Sequence, residues 1–597
     1  MIENALTPAT RKKEFISDVP EFVCDMPHPN PFVVGTSVSF RQYEQSLSWN
    51  WRYRTAAIPL APLWGEVAEG LLLKTLEDLK RFPDSARSFA NAGAAFLGQG
   101  ALEKAAEHFA AALSRDPHHR VALGGLARVR MLQGNAETAE KLYKRLAAES
   151  PDDASALIGL AHVAVSRERL EDAVSLLEEA VERRTNRSLA EYHLALLLLR
   201  INRSRDAIGH LRAGVRNELR WPAMHEALGM AYVVVGSLRK AETEFRTALR
   251  LVPNDKRAAH GLAEVLYRLG DNNAAIGVLR ECLTNHPDDR TGREIIARVY
   301  EKKAAYKHAR DQLLEAAPLV DENQVEQRGR ILNNIGVCAS LLDQRRSAEQ
   351  WFLKSIDSAP AASSVPYLNS ARVNIELAHF DSAINALRLC QLRFPQAERD
   401  LAPLLATCLV ERGEEIEAAQ GLRRAIQKGS GSPLAYAMLG GIIVESEIRD
   451  RDGAITVLES GYEIYPHDAR IGNNLAYAYL QAGLPGRART ILQEVNEDAD
   501  TEVVLTATWG LLRLWEGDLE EGKERYKRAE SLARMKQQGR LAEQVRQKMH
   551  LELARYHLRS GEFSQVLPEI RRGLNLNGRK AFRLDLETLQ SELGRIS

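Results

Sequence analysis

The strongest constraint on this chain is a pattern of small and bulky side chains that returns roughly every 34 residues. It is clearest between Met224 and Pro253. Leu228, Gly229 and Tyr232 fall three and four residues apart, on one stripe of a helix, and Ala241, Phe245, Ala248 and Leu249 do the same on a second. The stripes predict two helices packed face to face: the small residues let the backbones approach, and Tyr232 and Phe245 fill the remaining space. Gly236 frees the turn between them, and Pro253 stops the second helix.

The same positions can be followed in both directions. Backwards they reach Ala207 and Gly214, Ala173 and Ala180, Ala139, Tyr143 and Pro151, and then Gly93, Phe96, Gly100, Ala105, Phe109, Ala112 and Pro117. Forwards they reach Leu262, Ala263, Gly270, Ala275 and Pro287, then Ala297, Tyr300 and Ala309. This order of leucine, small residue, aromatic, glycine, alanine, aromatic, alanine and proline resembles the tetratricopeptide repeat family. The resemblance implies an all-α fold, a right-handed α-solenoid of helix-turn-helix units.

After Ala309 the phase slips by about five residues. Weaker units then carry Ile335, Gly336, Ala348 and Phe352, later Ala406, Gly413 and Ala418, later still Leu475, Ala476, Tyr479 and Gly483. In all about 14 repeats can be counted. The expected organisation is an irregular arm rich in aromatics and proline (1–65), an amino-terminal capping helix (66–83), a first repeat array (84–318), an inserted loop (319–328), a second array with a basic end (329–578) and a closing helix (579–597). Each array holds about seven repeats.

Repeats also suit the length. At 597 residues the chain exceeds the roughly 250–300 residues at which single cores stop growing, whereas repeats touch only their neighbours. The 80 basic and 80 acidic residues balance, so no global field recruits nucleic acid or a membrane. Cys24, Cys282, Cys338, Cys390 and Cys408 are scattered without a close pair and read as buried thiols of a reducing compartment. With no secretory leader and no membrane-spanning apolar run legible, a cytoplasmic protein is expected. Acidic or hydroxylic residues recur after the inter-repeat prolines, as in Pro83-Asp84-Ser85, Pro151-Asp152-Asp153, Pro253-Asn254-Asp255, Pro287-Asp288-Asp289 and Pro466-His467-Asp468. Their recurrence marks them as helix caps rather than metal ligands or catalytic acids.

In the family resembled, first helices line a concave groove that takes extended peptides or short helices. Carried over by register, that groove displays Asn91, His193, Asn333, Asn334, Asn369, Arg372, Asn473, Asn474 and Tyr477. Asparagine donates and accepts at once, so repeated asparagines can hold a peptide backbone; they are equally at home on any polar helix face. A second candidate is the basic end, where Arg525, Lys527, Arg528, Arg534, Lys536, Arg540, Arg546 and Lys548 are dense enough to attract an acidic protein. Sparse aromatics there disfavour nucleic acid.

Catalytic motifs are lacking: there is no phosphate-binding glycine loop, no zinc-protease helix motif and no nucleophile elbow. Arg205 and His210 share a spacing seen in some helical ribonucleases, but they span a unit whose Ala207 is in repeat register. No cofactor is expected. The sequence predicts a non-catalytic scaffold or adaptor that binds a peptide or helical segment of one or more proteins. The alternative is a regulatory subunit of an enzyme or nucleic-acid-associated complex, docking through its basic end or aromatic arm.

Overall fold

The computed structural model describes residues 77, 79–81, 84–217, 221–445, 450–495 and 502–596. The expected arm at 1–65 and nearly all of the expected capping helix at 66–83 lie outside them. The chain divides into two compact units at Leu319 and Val320. Among the described residues each unit is a row of helical hairpins, and the only strand-like feature is an isolated bridge between Asp153 and Thr185.

In the first unit the leading helices of the hairpins begin at Ala86, Arg120, Ala154, Arg187, Pro222, Lys256 and Arg290. In the second they begin at Val325, Val365, Glu398, Pro433, Ala469, Val503 and Gly539. That makes fourteen hairpins among the described residues, so the protein is an all-α solenoid. The periodic small residues produce this stacking. Phe245, on the second helix Leu238–Leu251, is buried between Gly229 of its own hairpin and Gly261 of the next. A β-carbon at Gly229 would lie 3.1 Å from that ring, and one at Gly261 would lie 2.5 Å from it. Phe109 sits in the same way between Gly93 and Gly125.

The turns are equally regular. Just beyond the first helix, at a spacing of 34 residues, one residue takes a left-handed conformation: Gly100, Gly134, Gly236 and Gly270 do so, and Glu168, Asn202 and Ala304 occupy the same place in other hairpins. Caps form at the expected residues, where the side chains of Ser85, Asp153, Asp255 and Asp468 accept amide hydrogens of the helices they precede. Asp289 differs: it makes no well-formed cap hydrogen bond to the helix Arg290–Lys302, although the Gly292 amide still helps to hold its carboxylate ionised.

The expected loop at 319–328 is corrected in part. Residues from Val325 onward are already helical, so the extra length is taken up by a longer first helix, Val325–Leu341. Glu326, Gln327 and Arg328 are good helix formers, and their polarity marks an outward face as readily as a loop. At the far end the helix Lys580–Ile596 buries Phe582, Leu586 and Leu589 against Leu551, Ala554, Val566 and Ile570. Cys282, Cys338, Cys390 and Cys408 are buried and unbridged, while Cys24 lies outside the described residues. No described helix is long and apolar enough to cross a membrane.

Candidate functional site

The repeat packing that builds the solenoid also decides which polar side chains remain accessible. Of the residues expected in the groove, Asn91 is exposed and Arg372 and Asn474 are half-buried. His193, Asn333, Asn334, Asn369, Asn473 and Tyr477 are buried, which corrects the expectation that all are displayed. The amides are used internally. Asn369 Nδ2 donates to Asn333 Oδ1 at 2.9 Å, and Asn333 Nδ2 reaches Asn334 Oδ1 at 3.4 Å. Further along, Asn473 Nδ2 donates to Asn474 Oδ1 at 3.2 Å and Asn474 Nδ2 to the Ala437 carbonyl at 2.9 Å. Leading helices of successive repeats come too close to leave most of these amides in water: Asn369 and Asn474 donate to the preceding leading helix and Asn333 and Asn473 to a neighbouring amide, while Nδ2 of Asn334 is buried without an acceptor.

The basic end is corrected in a similar way. Arg525 lies 3.6 Å from Glu521, Arg534 2.9 Å from Glu530, and Lys536 3.3 Å from Glu502; Arg546 also pairs with Glu530. Lys527, Arg528 and Arg540 are exposed. Carboxylates on the same and adjoining helices therefore answer much of a run that looks purely basic in one dimension. Exposed pairs of this kind are worth little to stability, but they do cancel the local field.

Lys548 behaves differently. It is buried on the long helix Gly539–Arg559 and meets a member of the other set, donating from Nζ to Tyr477 Oη at 2.8 Å across 71 positions of sequence. Around this contact lies a small cleft that opens to solvent. Its walls are Val504, Ala507 and Leu511 from Val503–Trp515, Leu541 and Val545 from Gly539–Arg559, and Phe582 from Lys580–Ile596. Thr508, Gln544, Tyr477, Tyr526 and Lys548 add the polar atoms. The ammonium lies 5.1 Å from the centre of the Tyr477 ring and 4.9 Å from that of Phe582, within cation–π range of both.

Charge in this cleft is neutralised from below. Lys548 lies 2.8 Å from Glu552, Glu552 2.8 Å from Arg555, and Arg555 2.8 Å from Asp585. Burial works against the Lys548 ammonium, yet Glu552 beside it raises its pKa above the ordinary value. Burial likewise opposes the Glu552 carboxylate, but Lys548 and Arg555 hold its pKa down at about 2. Burial pushes the Tyr526 phenol well above its usual range. None of these groups is poised to exchange a proton near neutral pH. The arrangement suits holding an apolar group against a polar, charge-balanced floor.

Glu552, Thr508, Gln544 and Phe582 were not legible as site residues. The available signal was the pairing of Lys548 and Glu552 four residues apart, flanked by the buried Leu551 and Ala554. Arg205 and His210 do not form a reaction centre: Arg205 is exposed, and the His210 ring is hydrogen-bonded to Glu191 at 2.5 Å.

Profiles described as tetratricopeptide repeat match residues 96–163 and 449–506, and 192–256, 226–290 and 260–324. A profile described as anaphase-promoting complex, cyclosome, subunit 3 matches 132–214. A Salmonella typhi protein, the Vi polysaccharide export protein VexE, is 31% identical over 99 residues; the match covers 16% of this chain and spans 15% of that protein's length. Among solved structures, YrrB, described as a TPR protein with an unusual peptide-binding site, is 18% identical with a TM-score of 0.22 over 31% of this chain and 96% of its own. A thermophilic TPR protein of Thermus thermophilus is 22% identical with a TM-score of 0.28 over 31% of this chain and 100% of its own. The matched profiles, together with hairpins that recur in the same phase, make this chain a tetratricopeptide repeat protein.

Proposed function

We propose that this chain is a non-catalytic interaction scaffold that holds a segment of a partner protein, with an apolar side chain of that segment seated in the cleft beside Lys548. One observation carries the reading: Tyr477, Tyr526, Lys548 and Phe582 come from four different helices and converge on a cleft whose ionisable groups are compensated in pairs. Such a site rewards burial of an apolar group and offers polar atoms to orient the chain that carries it.

The test is selection of binding peptides by the full-length protein from a random library, followed by titration against wild type and Ala507→Trp. Ala507 is half-buried at the wall, so an indole there fills the cleft without entering the core. Selected peptides are expected to share one large apolar residue and to lose at least about tenfold in affinity for the variant, roughly the worth of one well-buried side chain. Helical content and the melting curve should not change. Equal binding to Ala507→Trp would sink the assignment to this cleft.

A further inference from the structure

In the other unit, His260, Cys282 and Asp289 bring three metal-binding atoms together, and we infer that they form a divalent-cation site suited to zinc. Nε2 of His260, Sγ of Cys282 and a carboxylate oxygen of Asp289 all lie within 4.8 Å of one another. Nε2 is 2.7 Å from Asp289 Oδ2, and Sγ is 3.9 Å from the same oxygen. Around a tetrahedral zinc, with bonds of about 2.0–2.3 Å, these edges become about 3.3 Å and about 3.6 Å. The third edge, Nε2 to Sγ, lies within 4.8 Å and would close to about 3.6 Å, a change that rotamer adjustment of the three side chains supplies.

Each residue departs from its counterparts in a direction that favours the site. Cys282 stands on Asn272–Asn285 where the preceding hairpins carry Gly214 and Ala248, so a sulfur replaces a methyl group or a hydrogen. Cys390 holds the corresponding place in a later hairpin, but its sulfur faces only the Ser364 carbonyl at 3.9 Å. Asp289 precedes its helix as Asp255 does, yet Asp255 makes two cap hydrogen bonds, whereas Asp289 makes none that is well formed and has Oδ2 2.7 Å from Nε2 of His260. Gly292 completes the cradle: a β-carbon there would sit 2.5 Å from Asp289 Oδ2 and 3.5 Å from His260 Nε2, filling the space in front of the two ligand atoms.

The charges also close. A divalent cation bound by a thiolate and a carboxylate is neutral overall, as the buried positions of Cys282 and Asp289 require. Without metal, burial and the neighbouring Asp289 push the thiol up to about 12, so it keeps its proton at neutral pH. Binding through the thiolate therefore releases that proton to solvent, and Nε2 of His260 would offer its lone pair to the ion. A borderline-soft ion is selected by the mixture of sulfur, nitrogen and oxygen, and three protein ligands leave a fourth position for water.

The probe is Co²⁺, titrated into the full-length chain with its thiols reduced. The expected result is one equivalent bound, with a sulfur-to-cobalt charge-transfer band in the near ultraviolet, strong visible bands of a tetrahedral ion, and displacement by Zn²⁺. Cys282→Ala, which installs the residue found at 248, should fold normally and lose the charge-transfer band; Asp289→Asn should weaken binding at least about tenfold. Zn²⁺ should raise the melting temperature of wild type and leave that of Cys282→Ala unmoved. The inference fails if wild type shows no charge-transfer band, or if the band and the zinc-dependent shift survive in Cys282→Ala.

Discussion

At the scale of single residues, burial decides what a side chain does, and histidine shows this most sharply. His193 is buried, with its ring centre 4.9 Å from that of His162. Burial first, and then the charge of Arg128, lower its pKa to about 3; burial also takes His162 well below the ordinary 6.5. The unfolded chain therefore binds protons below pH 6.5 that the folded chain refuses. Stability is greatest above that pH and falls as the solution is acidified toward the folded pKa. Each such imidazole contributes a slope of about 1.4 kcal/mol per pH unit. Replacing His193 by Leu keeps the site apolar and removes one of the two slopes. Urea unfolding at pH 7 and pH 5 should show the acid-induced loss reduced by about 2 kcal/mol in the variant. An undiminished loss would mean that the ring ionises in place without cost.

At the scale of helices, the stack depends on how closely one hairpin lies on the next. Phe245 is pinched from two sides, and the two sides differ: the nearest approach of an added β-carbon is 3.1 Å at Gly229 within the hairpin and 2.5 Å at Gly261 across the junction. Gly261→Ala should therefore cost about 2 kcal/mol by overpacking, and Gly229→Ala clearly less. Urea midpoints of the two variants against wild type decide the order; equal losses would show that the ring yields as readily toward either helix. This packing was legible in the sequence because the period of small residues follows from the 3.6-residue turn and the length of the hairpin. Caps and left-handed turn residues were legible for the same reason, each being local. Contacts between distant positions were not. Nothing in spacing ties Tyr477 to Lys548, or marks which asparagines face a neighbouring helix. The basic run misleads because Glu502 and Glu552, which answer Lys536 and Lys548, come from other turns and helices. His260, Cys282 and Asp289 escaped notice for a related reason: 29 residues separate the first from the last, and the aspartate carries the signature of a cap.

At the scale of the molecule, zero net charge hides a pattern, since cations of one repeat commonly meet anions of an adjoining one. Arg167 pairs with Glu140, Arg257 with Glu226, Arg345 with Glu376, Arg412 with Asp381 and Arg489 with Glu516. Most of these are at least partly exposed and worth at most about 1 kcal/mol. The pair of Arg298 with Glu264 differs, because both side chains are buried and they link the leading helices of successive hairpins. In a linear stack, stability is the sum of unit and junction terms, so weakening one junction reduces cooperativity as well as the total. Arg298→Met strands Glu264 with only part of its compensation, since Arg268 remains 2.8 Å away on the same helix. A loss of about 3–5 kcal/mol concentrated at one junction should split or broaden the urea transition followed by circular dichroism. Arg388→Ala is the control: its pair with Glu417 is about half exposed on both sides, and its removal should leave midpoint and slope unchanged. If Arg298→Met only shifts the midpoint of a transition that stays as steep as before, the repeats fold as one block and the nearest-neighbour description fails for this chain.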